Sequence, residues 1–215
     1  MRSPTLFALV AVSSLSFVAC AETPPAATPP TATSDTSAAA VPASPASPTA
    51  ASTDADPLVG KPAPDFTKTT FDGKEVHLAA LKGKPVVVYF YPKDETPGCT
   101  KEACSFRDAW KDLSATGVTL IGVSTDDAES HKKFAEHWKL PFLLVSDPDG
   151  AIAKSFGVPV SEGYVARQTF VIDAAGNVKK VYRKVNVASH ATEVMAGLTE
   201  VLCYGTAVVA SPGRP

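Results

Sequence analysis

Three features of the chain predict an α/β fold with a central mixed β-sheet, helices on both of its faces and an N-terminal β-hairpin. Pro85 to Tyr91 and Val118 to Val123 are short, almost continuously apolar and rich in β-branched residues, as expected of strands covered on both sides. Segments of helical period stand between the strands. A second hairpin signal comes late, which places antiparallel pairing beside the parallel pairing that strand–helix–strand units require.

The elements follow in order. Phe66 to Thr70 and Val76 to Leu78 flank Asp72 and Gly73, an Asp-Gly turn between two short strands. After the strand at Pro85 to Tyr91, Cys99 to Leu113 has helical spacing, with Cys99, Ala103, Phe106, Trp110 and Leu113 on one face. Val118 to Val123 closes that unit. Asp127 to Trp138 is predicted as the next helix and Pro141 to Val145 as the next strand. Asp147 to Gly150 reads as a turn leading into a short helix at Ala151 to Phe156. Gln168 to Ile172 and Val178 to Tyr182 pair around Asp173 to Asn177, and Ser189 to Tyr204 is a closing helix. No internal repeat is visible.

The ends of the 215-residue chain are built from different material. Arg2 precedes an uncharged apolar stretch from Leu6 to Ala19, too short to span a bilayer and fitting a secretory signal. It runs into Val18, Ala19 and Cys20, which resembles a bacterial lipoprotein signal over residues 1–19 with Cys20 as the acylated residue; an ordinary cleaved signal is the alternative. From Ala21 to Pro57, Ala, Pro, Ser and Thr supply 32 of 37 residues, so no core can form there. Residues 20–57 are therefore expected to be a disordered tether, reaching from roughly 35 Å as a coil to about 115 Å as extended polyproline. A low-complexity leader with no tethering role is the plainer alternative. Residues 58–215 are the expected folded domain. One of the chain's 20 Lys and Arg and four of its 22 Asp and Glu precede Leu58, which leaves 19 against 18 in the domain. A surface so nearly neutral argues against nucleic acid as a partner.

The densest local signal is Tyr91 to Cys104, directly after the Val86 to Phe90 run. It sets Cys99 at a strand-to-helix junction, where unpaired backbone N–H groups carry partial positive charge and favour thiolate, the nucleophilic form of sulfur. Cys104 follows five positions later. In a regular helix that spacing is about 7.5 Å of rise and about 140° of rotation, or roughly 8 to 9 Å between Cα atoms. A disulfide needs less than about 7 Å. Bonding the two therefore requires the helix to unwind locally, which suggests a two-state element. A permanent structural disulfide is the competing reading.

Pro92, Thr96 and Cys99 match the P-x-x-x-T-x-x-C signature of peroxiredoxins, and Cys104 at this spacing resembles the Q-type or bacterioferritin-comigratory subfamily. The likeness extends over Lys61 to Tyr204, including Gly122 to Asp127, Leu140 to Gly150 and Arg167 to Asp173. It implies a thioredoxin-like fold and a thiol-dependent peroxidase, in which Cys99 attacks a hydroperoxide and becomes sulfenic acid. Cys104 would then resolve it to a Cys99–Cys104 disulfide. Arg167 matches the family's active-site arginine, whose fixed charge and planar donors suit both thiolate and the breaking O–O bond. Thr96 would turn its hydroxyl toward sulfur and substrate, Pro92 would shield the pocket, and Glu102 would orient Arg167. On the residues alone, Thr96 also fits a helix N-cap, Arg167 a solvated strand residue, and Glu102 first-turn dipole compensation.

The resemblance implies no metal, haem or other cofactor. It implies a hydroperoxide substrate and a thioredoxin-like reductant, and with the lipid anchor at Cys20 an exported, membrane-anchored protein facing the periplasm or the cell surface. A monomer is expected, with a dimer open. Cys203, beside Val201 and Leu202, is expected as a buried small hydrophobe. His131 and His137, six apart, point to different sides of their helix and make no zinc pair. Two other function classes are weighed: a membrane-anchored thiol-disulfide oxidoreductase acting on proteins, and a non-catalytic lipoprotein scaffold. The first resembles W-C-x-x-C at its site, whereas here Gly98 precedes the cysteine and the spacing is longer.

Overall fold

The structure, a computed structural model, describes residues 56–207. The signal-like segment, Cys20 and the proposed tether up to residue 55 lie outside the described residues.

An antiparallel hairpin opens the domain, β1 (Thr67–Thr69) with β2 (Glu75–His77), and Gly73 takes a left-handed φ of 79° in its turn. A single 3-10 turn at Leu78–Leu81 follows. Then come β3 (Val86–Phe90), α1 (Pro97–Asp108), α2 (Trp110–Ala115), β4 (Thr119–Ser124), α3 (Ala128–Trp138) and β5 (Leu143–Ser146). The second half holds α4 (Ala151–Ser155), a two-residue ribbon of β6 (Val160–Ser161) and β7 (Tyr164–Val165), β8 (Gln168–Ile172), β9 (Val178–Tyr182) and α5 (His190–Ala207).

Five strands form the central sheet in the order β5-β4-β3-β8-β9. β3 pairs parallel with β4 and antiparallel with β8, so the sheet is mixed, as the sequence predicts. Every residue of β3 and β8 is buried, which explains why these strands read as unbroken apolar runs rather than alternating ones. One face, carrying Val87, Tyr89, Leu120 and Leu144, is covered by Phe106, Leu113, Phe134, Val194 and Leu198 from α1, α2, α3 and α5. The other face, carrying Val88, Phe90, Ile121 and Phe170, packs under Val76 of the hairpin and Ile152 and Ala153 of α4. Gly122 is a fitted position: a Cβ there would lie 2.7 Å from the Tyr89 hydroxyl and 2.8 Å from Leu144 Cδ2.

Several boundaries differ from expectation by one to three residues, the strand expected from Pro141 starting at Leu143 and the closing helix running from His190 to Ala207, and the first long helix differs most. The helix predicted from Cys99 to Leu113 starts at Pro97, because proline at a first helical position gives up an N–H that would have been unpaired anyway. It also breaks at Ala109, whose ψ of 2° ends α1 and opens α2. The β6–β7 ribbon has no counterpart in the expectation; its strands are too short for period-2 patterning, and its tight turn rests on left-handed Glu162 and Gly163. Ordered contacts reach back to Asp56, whose carboxylate accepts a hydrogen bond from Arg183 Nε at 2.7 Å.

Candidate active site

The loop between β3 and α1 is held by two neighbouring acids reaching in different directions. Asp94, buried, accepts from Tyr91 Oη at 2.7 Å and Ser130 Oγ at 2.7 Å, and its carboxylate lies 2.9 Å from His131 Nδ1. Glu95, at a left-handed φ of 58°, accepts from Trp138 Nε1 at 3.0 Å and meets His137 Nδ1 at 3.0 Å. Apart from Tyr91, these partners lie on α3, so the loop is fastened to that helix twice. His131 faces the interior and His137 the solvent, in keeping with their six-residue spacing.

That anchorage fixes where α1 begins. Thr96 occupies the N-cap position with extended backbone, φ −78° and ψ 145°. Its side chain does not cap the helix; Thr96 Oγ1 donates to the Lys93 carbonyl at 3.0 Å. Pro92 stands half-buried at the bend after β3. Cys99 is the third residue of α1, 2 % exposed, on the helix face turned toward the sheet. The first-turn amides have no intrahelical acceptor, so their partial positive charge is available to its sulfur.

Arg167 reaches the same sulfur from the other side of the fold. It immediately precedes β8, and its Nη2 donates to Cys99 Sγ at 3.1 Å. Its Nη1 donates to Glu102 Oε2, forming an ion pair whose acidic partner is fully buried. Partial burial works to lower the Arg167 pKa, but Glu102 and the Cys99 sulfur together outweigh it and raise the value further. Burial pushes the Glu102 carboxyl up to about 7, in part offset by Arg167. The solvated-strand reading of Arg167 therefore fails, and so does first-turn dipole compensation for Glu102, which sits in the second turn. The contact that Glu102 does make is the ion pair with Arg167.

Cys104 shares α1 with Cys99 but lies on another face, half-buried, and both are free thiols. Burial pushes the Cys104 thiol up, against the lowering effect of Arg107. Arg107 Nη1 donates to the Trp138 carbonyl at 2.9 Å and so ties the end of α1 to the end of α3. The permanent-disulfide reading is not the state seen here. Cys203 corrects an expectation: it is exposed. The buried stripe of α5 runs through Ala191, Val194 and Leu198 to half-buried Val201, and position 203 is rotated about 200° from the last of these.

Two buried residues beside the site were not anticipated. Tyr89, on β3, carries a buried hydroxyl without a hydrogen-bond partner, and its pKa is raised by burial and then by Glu102. His190, the first residue of α5, lies with Nε2 3.7 Å from Glu102 Oε1. No spacing signal links residue 190 to residue 102; only the packing of α5 on the sheet does so. Among the described residues no group of three His, Cys, Asp or Glu side chains converges as a metal site would require, and no helix is long and apolar enough to cross a membrane.

Comparison with known proteins gives this geometry a context. The AhpC/TSA family matches the chain over residues 59–181. A protein of Coxiella burnetii named peroxiredoxin bcp is 45% identical over 147 residues, covering 65% of this chain and 97% of that one. The chloroplastic peroxiredoxin Q of Oryza sativa subsp. japonica is 50% identical over 125 residues, which span 57% of this chain and 58% of the plant protein. Among solved structures, peroxidoxin BcpB from Mycobacterium tuberculosis superposes with a TM-score of 0.62 at 37% identity, over 67% of this chain and 97% of that one. A bacterioferritin comigratory protein of Xanthomonas campestris, described by its alkyl peroxide reduction activity, gives 0.60 at 35% identity over 63% and 90% of the two chains.

Proposed function

The chain belongs to the AhpC/TSA family, and from that premise we propose how its sulfur-centred site carries out the reaction. The protein is a thiol-dependent peroxidase with a thioredoxin-like fold. The Cys99 thiolate attacks the terminal oxygen of a hydroperoxide. As the S–O bond forms, the O–O bond breaks; Cys99 becomes sulfenic acid, and the departing alkoxide or hydroxide takes a proton and leaves as alcohol or water. Arg167 serves both ends of this exchange, because one guanidinium can steady the thiolate and direct donors at oxygens gaining charge. Thr96 and Pro92, at the entry to α1, shape the pocket in front of the sulfur.

Resolution follows within one helix. The Cys104 thiol condenses with the sulfenic acid, water leaves, and a Cys99–Cys104 disulfide forms. Two cysteines five apart in a regular helix are roughly 8 to 9 Å apart at Cα, so α1 must unwind before they bond. A thioredoxin-like dithiol then returns two electrons and two protons. The observation that carries this reading is the 3.1 Å contact between Arg167 Nη2 and Cys99 Sγ, with Glu102 bracing the guanidinium behind it. The protein-directed oxidoreductase reading would place both thiols near one helix end, and this spacing does not.

The exported, lipid-tethered placement is also part of the proposal. It is supported by the apolar Leu6 to Ala19 stretch, Cys20 and the Ala, Pro, Ser and Thr-rich run to Pro57. A reductant acting on it would then have to lie on the same side of the membrane.

The test is intact mass of the full-length protein, extracted from membranes, before and after one equivalent of hydrogen peroxide. The unaltered protein should carry a lipid and lose two hydrogens. Cys104→Ser should gain one oxygen and stop after a single turnover, whereas Cys99→Ser should consume no peroxide. Equal bursts from the two variants would overturn the assignment of roles, and an unacylated mature protein would overturn the tether.

A further inference from the structure

Arg167 does not hold its own position. It is gripped by Glu102, and the structure shows what stands behind Glu102. The carboxylate is fully buried; Oε2 accepts a hydrogen bond from Arg167 Nη1, but Oε1 has no hydrogen bond. His190 Nε2 lies 3.7 Å from it.

His190 is as buried as its partner and is held on several sides. Its Nε2 lies 2.8 Å from Thr169 Oγ1, and its ring meets Phe106 edge-on at 5.3 Å and Tyr182 at 5.6 Å. Thr169 is two residues beyond Arg167 along the chain entering β8, so both side chains point to the sheet face that α1 and α5 cover. Phe106 is four residues beyond Glu102 in α1, hence on the same side of that helix. Glu102, Thr169 and His190 thus converge from three elements that are distant in sequence.

The imidazole's proton can be placed by its partners. Nδ1 is buried with no hydrogen bond, and a buried N–H without an acceptor is rarer in native proteins than a bare acceptor. The single proton of the neutral ring therefore sits on Nε2, where it is donated to Thr169 Oγ1 at 2.8 Å, with Glu102 Oε1 3.7 Å from the same nitrogen. The ring stays neutral at ordinary pH, since burial and Arg167 lower its pKa to about 3.

Resting on the peroxidase reading above, we propose that His190 is a positioning residue for the reaction: its ring, fixed by Thr169, turns the positive end of the Nε2–H dipole toward Glu102 Oε1 at 3.7 Å, and this through-space contact holds Glu102, and through Glu102 the Arg167 guanidinium, in the orientation that Cys99 requires. The helix that closes the fold thereby enters the active site through a chain of contacts, without touching the sulfur. The groups facing Glu102 are Arg167 ahead of β8, His190 on α5, and Cys99 on its own helix, with the Tyr89 hydroxyl of β3 close enough to feel its charge. Of these, the imidazole N–H and the guanidinium favour the carboxylate over the carboxylic acid, whereas the sulfur, as thiolate, does not.

The experiment is single-turnover oxidation of the reduced full-length protein by hydrogen peroxide, followed by stopped flow from pH 5.5 to about 8.5. The unaltered protein should show a limb near pH 7 as Glu102 ionises and tightens on Arg167. His190→Phe keeps a ring and removes the donor; its rate should fall about tenfold, as expected for a displaced catalytic group, and the limb should move to higher pH. His190→Gln, which returns an N–H to the same reach, should recover to within about threefold of the parent. In a Glu102→Gln background, which lacks the limb, His190→Phe should change nothing further. His190→Met stands in if the phenylalanine variant does not fold.

An unmoved rate and limb in His190→Phe would overturn the proposal. So would full, independent effects of the two substitutions, which would mean that the ring acts by packing alone, or a glutamine variant as slow as phenylalanine. An unaltered protein that fails to react with peroxide would instead overturn the peroxidase reading on which the proposal rests.

Discussion

Replacing Glu102 by glutamine preserves the side chain's shape and removes its charge, and it should shift the stability balance toward the variant as pH rises while slowing the reaction. In the unfolded chain this carboxyl titrates near 4.5, and in the fold burial pushes it up to about 7. The folded protein therefore holds that proton more tightly than the unfolded chain does. The stability linked to it is present below pH 4.5 and is lost as pH rises through about 7. At about 1.4 kcal/mol per pH unit, the displacement amounts to about 3 kcal/mol. Glutamine does not titrate, so the difference in unfolding free energy between variant and parent should swing by about 3 kcal/mol in the variant's favour between pH 4.5 and pH 8. The assay is urea unfolding of the reduced proteins, followed by far-UV circular dichroism at closely spaced pH values. Subtracting one curve from the other cancels the groups common to both. A flat difference would refute the reasoning, and a swing of opposite sign would mean that Arg167 outweighs burial and keeps Glu102 ionised throughout. The same substitution takes a charged brace from Arg167, so the variant that gains relative stability with rising pH should be the slower enzyme.

Arg167→Ala removes the donor at 3.1 Å from the sulfur and should lower the single-turnover rate with hydrogen peroxide by about a hundredfold or more, measured by stopped flow. Arg107→Ala cuts the tie to the Trp138 carbonyl and should speed disulfide formation after a peroxide pulse, read by acid quench and thiol alkylation; an unchanged rate would mean that the end of α1 does not gate resolution. Gly122→Ala forces a methyl group to within 3 Å of Tyr89 and Leu144 and should cost about 1 to 3 kcal/mol by urea unfolding.

Most of the fold was legible because its strands are buried on both faces and therefore stand out as apolar runs. β8 and β9 coincide with the expected Gln168 to Ile172 and Val178 to Tyr182, and α3 begins one residue after Asp127, whose side chain accepts from the Ser130 amide. The β6–β7 ribbon escaped because two-residue strands carry no period. At the site, Cys99, Cys104, Thr96 and Pro92 are readable together because they are local to one junction. Arg167 became readable only through family resemblance, since by pattern alone an arginine ahead of a strand is ordinary. His190 was not readable, because its meaning lies in a contact between the first turn of the last helix and the second turn of the first one. The same holds for Asp94 and Glu95, whose adjacency gives no hint that one faces inward to His131 and the other outward to His137. Cys203 was misjudged because apolar neighbours in sequence are not neighbours on a helix.

Trp138 sits where two fastenings of α1 meet: its indole N–H bonds Glu95 ahead of the helix, and its carbonyl takes Arg107 near the helix end. Only one other tryptophan exists in the chain, Trp110, and it opens the short helix just beyond. Both fluorophores therefore flank the segment that has to come apart when the two sulfurs join. The protein thus carries a built-in optical gauge of its own redox cycle, readable without a dye, in which a change of emission should track the melting and re-forming of a single helix.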